Sequence, residues 1–256
     1  MDQLFDISGK VALVTGGGRG IGLMIARGFC ERGVKVYIAS RKADVCTAVA
    51  KELSEIGDCV ALPADLAISD EIERVVAEIG RSEEKLDILV NNAGATWGGD
   101  VEDFPESGWD KVMNLNVKSV FFLTQKLLPL LTTAGSVDSP ARVINIGSID
   151  GMHTSKFTNF SYSPSKAAVH HLTKMLATHL ASRNILVNAI APGPFATDMM
   201  EPMMETLGDE IISAVPLKRM GGPDDAVGMA VFLASKASNY VNGVVIPLDG
   251  GCLAAT

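Results

Sequence analysis

The sequence contains no apolar run long enough to span a bilayer. Its first residues, Met1 to Asp6, lack the basic start and apolar core of a secretory signal. No run of lysines and arginines occurs and the net charge is −8, which argues against a nucleic-acid or anionic-membrane surface. The four cysteines, Cys30, Cys46, Cys59 and Cys252, include no C-x-x-C pair, so neither a zinc site nor a disulfide framework is indicated. That usage fits a reducing cytoplasm. None of the four histidines has metal-ligand spacing, so no metal is expected. His170 and His171 are adjacent, point to different faces of a helix, and read as helix-surface residues. Internal repeats, low-complexity segments and an interdomain linker are also absent. What is present is a chain of 256 residues, 47% of them apolar, enough for a substantial core.

Short apolar runs alternate with helical patterns along the whole chain. Strands are expected at 10–15, 34–40, 59–63, 86–90, 142–146, 185–190 and 243–247. Helices are expected over 21–32, up to about 55, and over 70–81, 108–131, 162–183 and 223–235. This βαβ spacing predicts one α/β domain over 1–256, a doubly wound parallel sheet of about seven strands of the Rossmann type. Ligands of such sheets bind at the C-terminal ends of the strands.

The motifs fall at those ends. The first strand runs into Gly16-Gly17-Gly18-Arg19-Gly20-Ile21-Gly22, followed by a helix. Strand, glycine turn and helix form the context of a dinucleotide phosphate site, because glycine lets the backbone approach the pyrophosphate and the helix start donates N–H groups. The second strand ends in Ala39-Ser40-Arg41-Lys42, with no carboxylate to bind a ribose 2′-hydroxyl. Ser40, Arg41 and Arg19 can instead donate to a 2′-phosphate, which favours NADP(H) over NAD(H). Asn91-Asn92-Ala93-Gly94 and Pro192-Gly193-Pro194 are further strand ends with small residues.

Tyr162-Ser163-Pro164-Ser165-Lys166 organises the rest. Tyr162 and Lys166 are four residues apart on a helix, about 6 Å of rise, so they share a face. A phenol is a poor acid or base near neutrality, and a neighbouring ammonium favours the phenolate. The pair is therefore an acid/base device for an alcohol or carbonyl oxygen.

Together and in order, Thr15-Gly16-x-x-x-Gly20-x-Gly22, Asn91-Asn92-Ala93-Gly94, Asn116, Ser148, Tyr162-x-x-x-Lys166 and Pro192-Gly193 resemble the short-chain dehydrogenase/reductase family, over essentially the whole chain. The resemblance implies that Tyr162 is the catalytic acid/base and that Ser148 hydrogen-bonds the reacting oxygen. It implies that Lys166 binds the nicotinamide ribose and lowers the tyrosine pKa, and that Asn116, rather than Asn114, holds a proton-relay water. It assigns the cofactor to Gly16, Gly18, Arg19, Gly20, Ile21, Gly22, Ser40, Arg41, Asp65, Leu66, Asn92, Ala93, Gly94, Tyr162, Lys166, Pro192, Gly193, Phe195 and Thr197. Asp65 matches an adenine-binding aspartate, and Thr197 would touch the carboxamide. Phe195 stands where the family more often has isoleucine or valine, and its contact is through backbone.

Within the family, Leu89–Trp97, Ser107–Trp109 and Pro140–Ser148 are similar to bacterial 3-oxoacyl reductases, particularly those linked to rhamnolipid synthesis. The implied activity is NADPH-dependent reduction of a ketone, with a 3-oxoacyl thioester as substrate. An NADP-linked alcohol, polyol or sugar dehydrogenase is the alternative. A non-catalytic nucleotide sensor is a more remote one, opposed by the retained serine, tyrosine, lysine and asparagine. The family also implies a homotetramer, paired through the helices of Asn116 and Tyr162 and through the last strand and helix. Val117, Val120, Phe121 and Leu128 give the first of these helices apolar surface beyond the needs of one sheet face.

One segment has no code of this kind. Residues 195–220 carry Met199, Met200, Met203 and Met204, then Leu207, Ile211 and Ile212. Methionine suits surfaces that re-pack around varied apolar ligands. The segment reads as a lid over an apolar pocket, with helix interrupted at Pro202 and Gly208 and a far hinge at Gly221-Gly222.

Overall fold

The computed structural model describes residues 3–154, 157–197 and 200–255, with the side chains of 201–205 left out. Its strands are β1 (Val11–Thr15), β2 (Lys35–Ser40), β3 (Cys59–Pro63), β4 (Ile88–Asn91), β5 (Ala141–Ile146), β6 (Ile185–Pro192) and β7 (Val245–Leu248). All pair in parallel, in the order β3-β2-β1-β4-β5-β6-β7. The strand order reverses between β1 and β4, and the crevice of a doubly wound sheet opens at that switch point. β1, β4 and β5 are buried at every residue, as expected of strands covered on both faces.

The helices are α1 (Gly20–Cys30), α2 (Ala43–Leu53), α3 (Ser69–Ser82), α4 (Glu106–Met113), α5 (Ser119–Ala134), α6 (Tyr162–Leu180), α7 (Glu201–Ala214) and α8 (Pro223–Ala234). Period-two alternation sends Ala12 and Val14 of β1 to one face, where Ile25 and Phe29 of α1, Leu53 of α2 and Ala230 of α8 cover them. Val11 and Leu13 face Ile72, Val75 and Ile79 of α3 and Leu123 and Leu127 of α5 on the other face. Two cores thus clamp one sheet.

Three elements differ from the sequence expectation. The helix expected over 108–131 is two helices joined by a π-helical turn, Asn114–Lys118. Such a turn keeps the apolar stripe in phase to within a residue, so periodicity does not reveal it, and π turns concentrate at functional sites. Gly208 does not interrupt α7, which runs through it; one helical glycine costs only about 1 kcal/mol. Pro202 lies in the first turn of α7, where its missing N–H has no intrahelical partner to lose. Val120 is buried at 4% exposure, not interface surface, and Leu128 packs against the core cluster of Leu123 and Leu127, whereas Phe122 is exposed.

Candidate active site

The glycine turn after β1 is built for close approach. Gly16 and Gly20 have φ of 66° and 54°, backbone that other residues adopt at a cost. A Cβ at Gly22 would strike the Gly16 carbonyl and the Asn92 amide, so the helix start can lie against the turn only as glycine. Asn92 donates from its side chain to the Thr15 carbonyl at 2.9 Å, and the Thr15 hydroxyl accepts from the Asn92 and Ala93 N–H groups, both at 2.9 Å. These bonds tie the β1 and β4 ends together across the switch point. The side chain of Asn92 therefore braces the turn, and Thr15 is a site-building residue whose strand position alone did not disclose it. Thr197 reaches the same turn, about 3.4 Å from where a Gly20 Cβ would stand.

At the β2 end, the Ser40 hydroxyl lies against Gly18, 3.0 Å from the position of an added Cβ. Arg19 and Arg41 are exposed beside it, and neither has an ion-pair partner among the described residues. Asp65 follows β3 and accepts from the Ala67 N–H at 3.0 Å, while Leu66 is buried. A cradle that added Cβ atoms would fill, with two unpaired guanidinium groups and no carboxylate at the β2 end, fits a dinucleotide bearing a 2′-phosphate.

Lys166 and Asn116 converge on Gly94 at the β4 end: a Cβ there would stand 3.7 Å from the Lys166 Nζ and 3.4 Å from the Asn116 Oδ1. Asn116 sits in the π-helical turn and is 1% exposed. Its Oδ1 accepts from the Ala95 N–H at 2.8 Å, and its Nδ2 donates to the Ala95 carbonyl at 3.0 Å and the Ser165 hydroxyl at 2.9 Å. Both amide hydrogens are thus committed to protein, which leaves one Oδ1 lone pair. Asn114, the neighbour not chosen, is only half-buried.

Ser148 follows β5 and opens a 3₁₀ turn over Ile149–Gly151. Its hydroxyl interacts with the Tyr162 phenol and accepts from the Asp150 N–H at 3.2 Å. Burial pushes the phenol up to about 12; Ser148 pulls it down and the Asp150 carboxylate adds to the rise. Lys166 donates to the Ile146 carbonyl at 2.8 Å, and its ammonium stands 5.5 Å from the centre of the Tyr162 ring. Burial holds the lysine down at about 8. In the chain alone, desolvation governs both groups, raising the phenol and lowering the ammonium.

His170 also departs from its surface reading. It is 7% exposed, and its Nε2 accepts from the Ser148 N–H at 3.4 Å. Residues 162, 166 and 170 share one face of α6, so the spacing that pairs Tyr162 with Lys166 also brings in His170. His171, on another face, is exposed. Behind the site, Asn91 donates to the Asn145 Oδ1 at 2.9 Å and Asn145 donates to the Thr173 hydroxyl at 2.9 Å, a buried chain joining β4, β5 and α6.

The β6 end leads to the methionine-rich segment. Pro192 and Gly193 lie beside the β7 end, where a Cβ on Gly193 would stand 2.8 Å from the Asp249 backbone. Phe195 is buried, its ring in the core. The segment's two ends are tied together: Gly221 donates to the Pro194 carbonyl at 2.9 Å, and Ala196 donates to the Gly221 carbonyl at 3.2 Å. Arg219 grips the Asp225 carboxylate at 2.6 and 2.9 Å, and that carboxylate caps α8 through the Gly222 N–H at 2.9 Å. Gly221-Gly222 is therefore pinned, not a free hinge. Met199 lies outside the described residues, as do the side chains of Met203 and Met204; Met200 is half-buried.

Comparison with known proteins agrees with this geometry. The family model described as enoyl-(acyl carrier protein) reductase matches residues 16–252. The chain is 47% identical over 253 residues to the rhamnolipids biosynthesis 3-oxoacyl-[acyl-carrier-protein] reductase of Pseudomonas aeruginosa, covering 98% of this chain and 99% of the relative. It is 42% identical to the 2-dehydro-3-deoxy-D-gluconate 5-dehydrogenase of Dickeya dadantii, covering 98% of each. Among solved structures, the Pseudomonas aeruginosa RhlG/NADP active-site complex superposes with a TM-score of 0.95 at 46% identity, covering 98% of this chain and 99% of that one. Motifs, fold and relatives coincide over the whole chain, which belongs to the short-chain dehydrogenase/reductase family of oxidoreductases.

Proposed function

We propose that the chain reduces the ketone of a 3-oxoacyl thioester to a secondary alcohol with NADPH. Gly16, Gly18, Gly20, Ile21 and Gly22 would hold the pyrophosphate. Arg19, Ser40 and Arg41 would hold the 2′-phosphate, and Asp65 and Leu66 the adenine. Asn92, Ala93, Gly94, Lys166, Pro192, Gly193, Phe195 and Thr197 would line the nicotinamide end. The relative whose structure carries NADP supports this choice. When bound, NADPH supplies the hydride.

The chain's own residues supply orientation and a proton. Ser148 donates to the carbonyl oxygen and holds it beside Tyr162. Tyr162 gives its phenolic proton to that oxygen as negative charge develops there. Raised by burial, the Tyr162 phenol is protonated at neutral pH and has a proton to give to the ketone oxygen. Lys166 holds the cofactor ribose and, once part of its charge faces the phenol, eases proton loss. Asn116 fixes the π-helical turn, and its remaining lone pair or the loosened backbone there seats the relay water.

The observation that carries the substrate class is the loop between Ser148 and Tyr162. Met152, Phe157 and Phe160 are exposed there at 45%, 47% and 40%, and Phe160 stands edge-on to Phe104 at 5.8 Å. An apolar mouth suits an acyl chain. The Asp150 carboxylate beside the phenol opposes an anionic sugar acid. α7, which buries none of its described side chains, would close over that chain and exclude water while Phe195 and Val215 stay in the core.

NADPH consumption with 3-oxoacyl thioesters of increasing length, set against keto-gluconates, tests the reading. Turnover of the thioesters that improves with chain length is expected. Turnover of keto-gluconates alone would replace the reading with the sugar-acid alternative, which the Dickeya dadantii relative supports. We further propose a cytoplasmic homotetramer. No helix among the described residues is long and apolar enough to cross a membrane. The exposed Trp109, Phe122, Met175, Leu217 and Tyr240 supply apolar surface for contacts between copies. A monomeric mass at micromolar concentration would refute the tetramer.

A further inference from the structure

Ser148 and Tyr162 come from different elements, and something must set the distance between them. The serine stands on a short turn. The Gly151 N–H donates to the Ser148 carbonyl at 3.0 Å and closes that turn on itself, but this bond does not anchor it to α6. The anchor comes from α6. His170 lies two helical turns beyond Tyr162, and its ring is wedged against both ends of the serine turn. A Cβ on Gly147 would fall on the His170 ring. A Cβ on Gly151 would stand 2.8 Å from the ring's Cε1 and 2.7 Å from the α6 backbone. Only glycine at both positions lets the turn sit this close.

The polar contacts follow the same arrangement: His170 Nε2 accepts from the Ser148 N–H at 3.4 Å. An accepting Nε2 requires a neutral ring with its proton on Nδ1. Burial and the charges of Lys166 and Lys174 keep the ring neutral, holding it down at about 4.

We propose that His170 is a positioning residue: wedged between Gly147 and Gly151, it fixes the Ser148 turn to α6 and so aims the serine hydroxyl at the Tyr162 phenol. This rests on the roles given to Ser148 and Tyr162 above. Catalytic groups must be held within a fraction of an ångström, and a displacement of about 1 Å can cost about a hundredfold in rate. Loss of the imidazole therefore acts on kcat and leaves NADPH binding alone.

The test is a double-mutant cycle. His170→Leu is expected to lower kcat between about tenfold and a hundredfold, with the NADPH dissociation constant unchanged. His170→Gln, which can still accept from the Ser148 N–H, is expected to recover part of the loss, and it carries the cycle if the leucine variant does not fold. In a Ser148→Ala background, either His170 substitution is expected to have no further effect on kcat. Gly147→Ala is expected to cost activity in the native chain and much less in His170→Gln. If Ser148→Ala is impaired but the His170 variants keep full kcat, His170 does not position the serine. The same holds if the His170 loss is as large without the Ser148 hydroxyl as with it. If Ser148→Ala itself keeps full activity, the role of Ser148 falls first and this inference falls with it.

Discussion

The two helices that flank the site could hardly differ more. α6 buries Ser165, Lys166, Val169, His170, Thr173, Ala177 and Leu180 against the sheet. α7 buries none of its described side chains, and Leu207 is 37% exposed. α6 is bonded to its surroundings through Lys166 to Ile146, Ser165 to Asn116 and His170 to Ser148. The α7 segment is held at its neck, through Pro194, Ala196 and Gly221, and by Arg219 to Asp225. Proton transfer needs fixed distances, and α6 with the β5 end provides them. Accommodation of an acyl chain needs a surface that can re-pack, and we propose that α7 provides it.

The largest effect that would break this contrast lies on the α6 side. Tyr162→Phe is expected to lower kcat by about 10²–10⁴-fold while NADPH binds as before, because the phenol oxygen serves only the reacting group. Activity within a few-fold of the native chain, in a steady-state NADPH assay, would remove Tyr162 from the mechanism.

Next is the acid stability of the same wall. His170 is held near 4, below the ordinary histidine value of about 6.5, so the folded state takes up its proton less readily than the unfolded chain. The stability this contributes is whole above about pH 6.5 and is lost as pH falls through about 4, in total about 3 kcal/mol. Denaturant unfolding between pH 7 and pH 4 should therefore show a shallower decline for His170→Gln than for the native chain. Equal slopes would mean that the ring is not held neutral by the wall.

A smaller effect belongs to the β2 end, which neither helix governs. Ser40→Asp combined with Arg41→Ala should reduce the NADPH preference over NADH by about tenfold to a hundredfold, since a charged hydrogen bond contributes about 1.5–3 kcal/mol. Equal specificity constants for the two cofactors in the native chain would contradict the assignment of Arg19 and Arg41.

The smallest is expected in the lid. Met200→Ala with Met204→Ala should weaken long-chain ketones more than short-chain ones by a few-fold, about 1 kcal/mol of lost apolar contact. An equal effect at all chain lengths would move the acyl chain elsewhere in the site.

The same division governs what could be read without coordinates. The glycine turn, the Asn91–Gly94 end, Ser148 and the Tyr162–Lys166 pair were legible because each occupies a strand end or a helical repeat whose residue types the chemistry dictates. His170 was not, although it lies on the Tyr162 face by the same four-residue spacing. A histidine beside a histidine gives no sign of which one is buried. The π-helical turn at Asn116 was hidden because the apolar stripe runs on through it. The burial that raises the Tyr162 phenol is not legible in the helix pattern, because it depends on elements distant in sequence. In the segment after β6, Gly208 reads as a break, yet α7 runs through it. Its choice of substrate has no residue pattern that chemistry requires.

We propose a catalytic wall, α6 with the β5 end, that is formed before substrate arrives, and a lid, α7, that forms around it. Amide hydrogen exchange, resolved by segment and followed with and without NADPH, measures this directly. The account predicts slow exchange in β5, β6 and α6 under both conditions. It predicts exchange at least about a hundredfold faster in residues 201–214, slowing when a long-chain 3-oxoacyl thioester analogue is added with cofactor. Exchange in 201–214 as slow as in β5 without any ligand would contradict it.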